Sequence, residues 1–184
     1  MFPTSQQTIG PFFPKGFFGP ADHDLTRVTA DATPTTQGET VILRGTVTRQ
    51  GGTPCNNAIL EMWQADAAGR FNADPAFLGW GRTFTDAEGR YAFRTVIPGG
   101  FTDATGVRAP HANITVMGAG LMRRVLTTVF FPGFDTTADP VMASIPAGLR
   151  PLLVAEKARR EGGLRAFRFD IRLRGEGETP FFDL

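Results

Sequence analysis

Apolar and polar residues alternate with a period of two through much of this chain from residue 40 onwards. Val41, Leu43, Gly45 and Val47 alternate with Ile42, Arg44, Thr46 and Thr48, which suits a strand with one buried face. Asn57 to Gln64 reads as the next strand, with Ile59, Glu61 and Trp63 on one face. Tyr91, Phe93 and Thr95 alternate with Arg90, Ala92 and Arg94, and Ala112–Met117 and Val125–Phe131 predict two further strands. A last strand is predicted where Phe167, Phe169 and Ile171 alternate with Arg168, Asp170 and Arg172. Gln50-Gly51-Gly52-Thr53-Pro54 and Pro98-Gly99-Gly100 are turn signals, and Asp86-Ala87-Glu88-Gly89 reads as a hairpin-type turn. One stretch is helix-compatible, from about Pro146 to Glu161, with Leu149, Leu152 and Leu153 sharing a face and Gly162-Gly163 ending it. Many short strands, Gly/Pro turns and few helices predict an all-β chain. The expected architecture is an antiparallel β-sandwich with short helices and long loops over 39–184.

Residues 1–38 differ. They are rich in Gly, Pro, Thr and Asp and carry no sustained period, yet Phe12, Phe13, Phe17 and Phe18 fall among Pro11, Pro14, Gly16 and Gly19. A disordered arm is poor in aromatics, so this segment is expected to be an extended strap that docks on a surface. At 184 residues the chain fits one domain. The net charge of +1 gives no reason to expect nucleic acid or an anionic membrane as partner. No apolar run approaches the roughly 20 residues that span a bilayer. The single cysteine, Cys55, cannot form an internal disulfide, and the first residues show neither a basic nor an apolar signal region. A cytoplasmic protein is the expectation.

Three blocks carry a resemblance. Leu43-Arg44-Gly45-Thr46-Val47, then Asn57-Ala58-Ile59-Leu60-Glu61-Met62-Trp63-Gln64-Ala65-Asp66, then Gly69-Arg70-Phe71, resemble the signature of intradiol ring-cleavage dioxygenases. Gly81-Arg82, Gly89-Arg90-Tyr91, Pro98-Gly99 and Arg108-Ala109-Pro110-His111-Ala112-Asn113 continue it. The N-terminal Ser5-Gln6-Gln7-Thr8-Ile9-Gly10-Pro11-Phe12 and the tail Gly175-Glu176-Gly177-Glu178-Thr179 look like the α-type chains of heteromeric family members. The likeness breaks only over 14–38 and around 133–147.

The family's catalytic chains hold Fe(III) with two tyrosinates and two histidines, a hard anionic and imidazole set that suits ferric iron. The resemblance puts Phe71 and Phe101 at the tyrosinate positions, and His111 and Asn113 at the His-x-His pair, which a strand's period of two sets on one face. The chain has one Tyr in all, Tyr91, and two His, His23 and His111. The resemblance therefore implies no metal and no catalytic residue in this chain, with Fe(III) expected on a homologous, iron-binding β subunit. It leaves Phe71, Phe101, His111 and Asn113 as vestigial ligand positions. A catalytic catechol or hydroxyquinol dioxygenase fails on the same count.

What remains for such a chain is to complete the partner's site. The resemblance implies that the 1–38 strap docks on the partner subunit, either as an interface strap alone or with Thr8, Gly10, Pro11 and Phe12 bordering the partner's substrate pocket, to which Thr128 is also expected to contribute. Thr128 stands where an Arg is expected to attract an anionic substrate, with Arg123 and Arg124 a few residues earlier. The implied reaction is cleavage of 3,4-dihydroxybenzoate by O₂ to 3-carboxy-cis,cis-muconate, in a higher-order assembly of αβ protomers. The rival is a stand-alone sandwich acting as a carrier or binding module. Among other polar residues, Tyr91 is expected in the core, Arg108 in an ion pair, His111 on a polar neighbour, and Glu61 with a structural partner.

Overall fold

A computed structural model describes residues 18–118, 120–121 and 123–182. In chain order the strands are β1 (Thr40–Thr48), β2 (Ala58–Gln64), β3 (Trp80–Phe84), β4 (Arg90–Val96), β5 (Phe101–Asp103), β6 (Gly106–Arg108), β7 (His111–Gly118), β8 (Val125–Phe130), β9 (Glu156–Glu161), β10 (Leu164–Arg168) and β11 (Ile171–Arg172). Among the described residues one α-helix, α1 (Pro140–Ser144), lies between β8 and β9.

The first sheet is built on β1. β4 pairs with it antiparallel, from Thr40 opposite Val96 to Thr46 opposite Arg90. β10 and then β11 run parallel to β1 in one continuing register, Val41 opposite Arg165 and Val47 opposite Ile171. β9 pairs antiparallel with β10 and ends that side of the sheet. The second sheet is antiparallel throughout, in the order β3-β2-β7-β8, and β5 and β6 form a separate two-stranded ribbon. Leu43, Val47, Tyr91, Phe93 and Phe167 of the first sheet meet Leu60, Met62, Ile114, Val116 and Val129 of the second in one buried core. Each fully buried side chain of that size contributes about 1.5–3 kcal/mol of transfer free energy, so this interface is what stacks the sheets. The expected all-β, antiparallel-rich sandwich is the fold observed, with the parallel β1–β10–β11 seam as its exception.

Three local expectations are corrected. The helix expected over Pro146–Glu161 is a 3-10 turn at Arg150–Leu153 followed by β9. The three leucines account for only that one turn, and Gly162-Gly163 is not a helix stop. Both glycines have positive φ (54° and 81°), the backbone a two-residue hairpin turn needs, and they join β9 to β10. Lys157, Arg159, Arg160 and Glu161 thus lie on an edge strand, not a helix end. The Asp86–Gly89 turn joins β3 to β4, but these strands belong to different sheets, so it is a crossing between layers. The last predicted strand is two, interrupted where the Phe169 carbonyl leaves the ladder to accept the Tyr91 hydroxyl at 2.5 Å.

Residues 18–38 lie on the body of the same chain. Leu25 is fully buried, its N–H donates to the Arg94 carbonyl, and the Arg82 N–H donates to the Asp22 carbonyl. The residues of the strap before Phe18 lie outside the described residues.

Gly45 is a point of close approach in the parallel seam. A Cβ there would sit 1.8 Å from the Phe169 carbonyl oxygen and 3.0 Å from the Tyr91 ring. Gly45→Ala is therefore expected to destabilise the fold by about 1–3 kcal/mol through overpacking. At this chain length that lowers Tm by roughly 2–4 °C per kcal/mol, readable by calorimetry. An unchanged Tm would show that the seam is looser than this.

Candidate functional site

The site begins with a loop. After β2, the buried Asp66 accepts from the Ala68 N–H at 2.8 Å and the Arg70 N–H at 2.9 Å, and Arg70 Nε closes on it at 3.2 Å. This curls Ala67–Arg70 back on itself and presents Phe71. The curl presses on the backbone after β4: Gly69 has φ 77°, and a Cβ on it would lie 2.1 Å from the Gly100 carbonyl oxygen. Only glycine fits such a backbone conformation at that separation without strain. The close approach brings Phe71 to Phe101, at the start of β5.

Five rings follow in series. Trp63 stacks on Phe71 with centroids 6.4 Å apart. Phe71 meets Phe101 edge-on at 5.2 Å, Phe101 lies 5.5 Å from His111, and His111 lies 5.7 Å from the buried Phe130. Such pairs add about 0.5–1.5 kcal/mol each beyond their burial. The outer end is open: Trp63 is 40% and Phe71 41% exposed.

The inner end is polar and paired. His111 Nδ1 is 2.7 Å from the Ala109 carbonyl and its Nε2 is 3.3 Å from Arg108 Nη2. A carbonyl cannot donate and a guanidinium cannot accept, so Nδ1 carries the proton and Nε2 uses its lone pair on Arg108. Arg108 also lies over the Phe101 ring at 5.9 Å and donates from Nε to Asp139 at 3.1 Å. Asp103 is a second carboxylate 3.6 Å from it. Asp139 is buried; it also takes the Ala109 N–H at 2.9 Å and caps α1 through the Val141 and Met142 N–H groups. Burial pushes the His111 pKa below its ordinary 6.5, with the Arg108 charge pushing the same way against the Ala109 hydrogen bond.

Asn113, two residues along β7, stands opposite Trp63 on one side and Thr128 on the other. Its Oδ1 accepts from Thr128 Oγ1 at 2.8 Å. Thr128 is itself only 3% exposed. Arg123 and Arg124 are exposed just ahead of β8. The structure thus brings Phe71, Phe101, His111, Asn113 and Thr128 into one neighbourhood. Thr8, Gly10, Pro11 and Phe12 lie outside the described residues.

This donor set does not fit the family's ferric site. Phe71 and Phe101 have no ligating atom, Asn113 offers a neutral amide oxygen already bonded to Thr128, and the one imidazole lone pair faces a guanidinium. The only tyrosine, Tyr91, sits in the other sheet with its hydroxyl on Phe169. Burial, and then the Asp170 charge, hold its pKa well above the ordinary 10.0, against tyrosinate formation. Among the described residues no group of three or more His, Cys, Asp or Glu is placed to hold a metal ion. Glu61 is the structural partner expected of it, paired with Arg82 at 2.9 Å. Sequence reasoning missed Trp63 as part of the ring series, and missed Asp139. Asp139-Pro140 is a helix N-cap followed by a first-turn proline, a signal that could have located it.

A family profile described as dioxygenase matches residues 8–175. The chain is 37% identical to the protocatechuate 3,4-dioxygenase alpha chain of Burkholderia cepacia, over 98% of this chain and 97% of that one. It is also 37% identical to the beta chain from that organism, over 88% of this chain and 75% of that one. Among solved structures, the dioxygenase domain of a dioxygenase–carbohydrate-binding protein fusion from Streptomyces sp. SirexAA-E aligns with TM-score 0.61 and 26% identity, over 97% of this chain and 100% of that one. The chain belongs to the intradiol ring-cleavage dioxygenase family. Within it, the match to the protocatechuate 3,4-dioxygenase alpha chain covers nearly all of both chains, whereas about a quarter of the beta chain lies outside the match.

Two outcomes follow for the inner end of the site. Asp139→Ala leaves Arg108 almost buried without its main partner and uncaps α1, so a loss of about 3–5 kcal/mol is expected in denaturant unfolding, with Asp139→Asn losing less. His111 is neutral in the fold and its pKa is depressed, so the unfolded chain binds the proton more readily. Stability is therefore retained above pH 6.5 and falls as pH drops through 6.5 towards the lower folded value. His111→Gln should flatten that part of the stability–pH curve; an unflattened curve would place the titration elsewhere.

Proposed function

We propose that this chain is the α-type subunit of a protocatechuate 3,4-dioxygenase. On this reading it holds no iron and completes, on a homologous β chain, the site where O₂ opens 3,4-dihydroxybenzoate to 3-carboxy-cis,cis-muconate. The observation that carries the reading is the ring series at Phe71, Phe101 and His111 with Asn113. The four positions equated with ligands are apolar or already hydrogen-bonded. The match to an alpha chain over nearly all of both chains supports the same assignment.

Fe(III) would then be the β subunit's cofactor and would supply the activation of the catechol there. This chain's share is positional. Gly10 and Pro11 shape the edge of the partner's pocket with backbone groups, Phe12 walls the aromatic ring, and Thr8 borders it. Thr128 reaches the site through Asn113, so it supplies no charge for the substrate carboxylate, and Arg123 or Arg124 takes that part. The stacked, half-exposed Trp63 and Phe71 suit a surface that an assembly covers. The chain alone is inactive, works in a cytoplasmic (αβ)n assembly, and needs neither nucleic acid nor membrane. No helix among the described residues is long and apolar enough to cross a membrane.

The test is co-expression with the iron-binding partner, following O₂ uptake with 3,4-dihydroxybenzoate. Activity is expected only with both chains present, and deleting residues 1–12 should lower it while assembly persists, because positioning is lost and ligation is not. A chain that purifies as a stable monomer, and a deletion that changes neither kinetics nor assembly, would support the carrier reading instead.

A further inference from the structure

The first sheet extends past β1 on one side as β10 and β9. At that side the turn after β8 passes over the sheet, and Phe131 packs edge-on against Phe167 at 5.4 Å. Just beyond this contact is a groove of about 450 Å³ between Phe134 and the β9–β10 pair. Its charged lining is Lys157, Arg160 and Arg165, with no carboxylate among the lining residues. Edge strands often carry a lysine against unwanted pairing, but a like-charged trio around a concavity repels itself and gains from an anion.

The cations are largely available. The Lys157 side chain makes no hydrogen bond or ion pair among the described residues. Arg160 commits Nη1 to the Gly163 carbonyl at 2.8 Å. Arg165 lies over the Phe167 ring at 5.2 Å and meets Glu39 at 3.1 Å, a pair exposed by 40% and 49% and therefore well screened. Phe134, 44% exposed, supplies an apolar wall. The volume falls within the roughly 300–1,000 Å³ of small-ligand sites.

We infer that this groove binds small tricarboxylates, one carboxylate to each of Lys157, Arg160 and Arg165, with the carbon skeleton against Phe134. Resting on the proposed function, the natural ligand is the ring-opened product. Opening the ring between its hydroxyl-bearing carbons turns both into carboxyls, and the ring's own carboxylate is the third. The substrate, with one carboxylate, engages one cation and binds far more weakly. The groove is thus selective for product over substrate.

Isothermal titration of the full-length chain, purified with its partner or alone if it purifies alone, tests this with three probes at low salt. These are 3-carboxy-cis,cis-muconate, benzene-1,3,5-tricarboxylate and benzoate. Both tricarboxylates should bind at least tenfold more tightly than benzoate and weaken as salt rises. The double variant Lys157→Gln, Arg160→Gln alters two exposed side chains and should fold normally by circular dichroism while losing at least tenfold in tricarboxylate affinity. Equal affinity for mono- and tricarboxylates, or an unaffected double variant, would overturn the site and leave the cations as edge protection only. Failure of the proposed function reads differently: no ring-cleaving activity with any partner, but benzene-1,3,5-tricarboxylate still bound in the groove.

Discussion

Asp139 sits buried ahead of α1 and serves four donors at once: Arg108 Nε, the Ala109 N–H, and the Val141 and Met142 N–H groups. That single carboxylate joins the β6–β7 corner to the only α-helix among the described residues. Through Arg108 it also sets the orientation of His111. A buried carboxylate is tolerable only when paired and fully hydrogen-bonded, so each of these contacts depends on the others. The candidate site inherits its geometry from this arrangement, because the His111 ring is fixed by Arg108 on one nitrogen and by the corner's own carbonyl on the other.

The outer half of the site rests on backbone proximity. The Asp66 turn and the Gly69–Gly100 approach hold two loops against each other, and Phe71 and Phe101 meet because those loops do. A hydroxyl on either ring would place an ionisable group in this neighbourhood; Phe instead extends an apolar series from Trp63 to Phe130. The result is a neutral cluster with one guanidinium at its inner end. Such a cluster offers none of the charged donors that a hard cation needs.

Much of this was legible from the sequence, for physical reasons. Strands half-buried on one face betray themselves by alternation, so β1, β2, β4, β7 and β8 were readable within a residue or two. Phe71, Phe101, His111 and Asn113 were singled out only through the family resemblance; what the structure adds is that they lie in one neighbourhood. Three-dimensional facts were not readable. Glu156–Glu161 carries no apolar period, being an exposed edge strand, so local propensity alone could not separate helix from strand. The Asp86–Gly89 turn has hairpin chemistry whether its strands pair or diverge into two layers. Asp139 lies some 30 residues from Arg108 in the chain, and nothing local announces that the two meet. The Trp63–Phe71 stack likewise depends on loop curvature that Asp66 imposes only in the folded chain.

The central claim is that the cluster at Phe71, Phe101, His111 and Asn113 holds no iron and that the assembly's iron belongs to the partner. The most direct measurement is metal content and visible absorption of each chain separately, after refolding in the presence of ferric iron. The account predicts a colourless α chain with negligible iron, and a coloured β chain with one tyrosinate-bound iron. Stoichiometric iron with a tyrosinate charge-transfer band in this chain alone would contradict it.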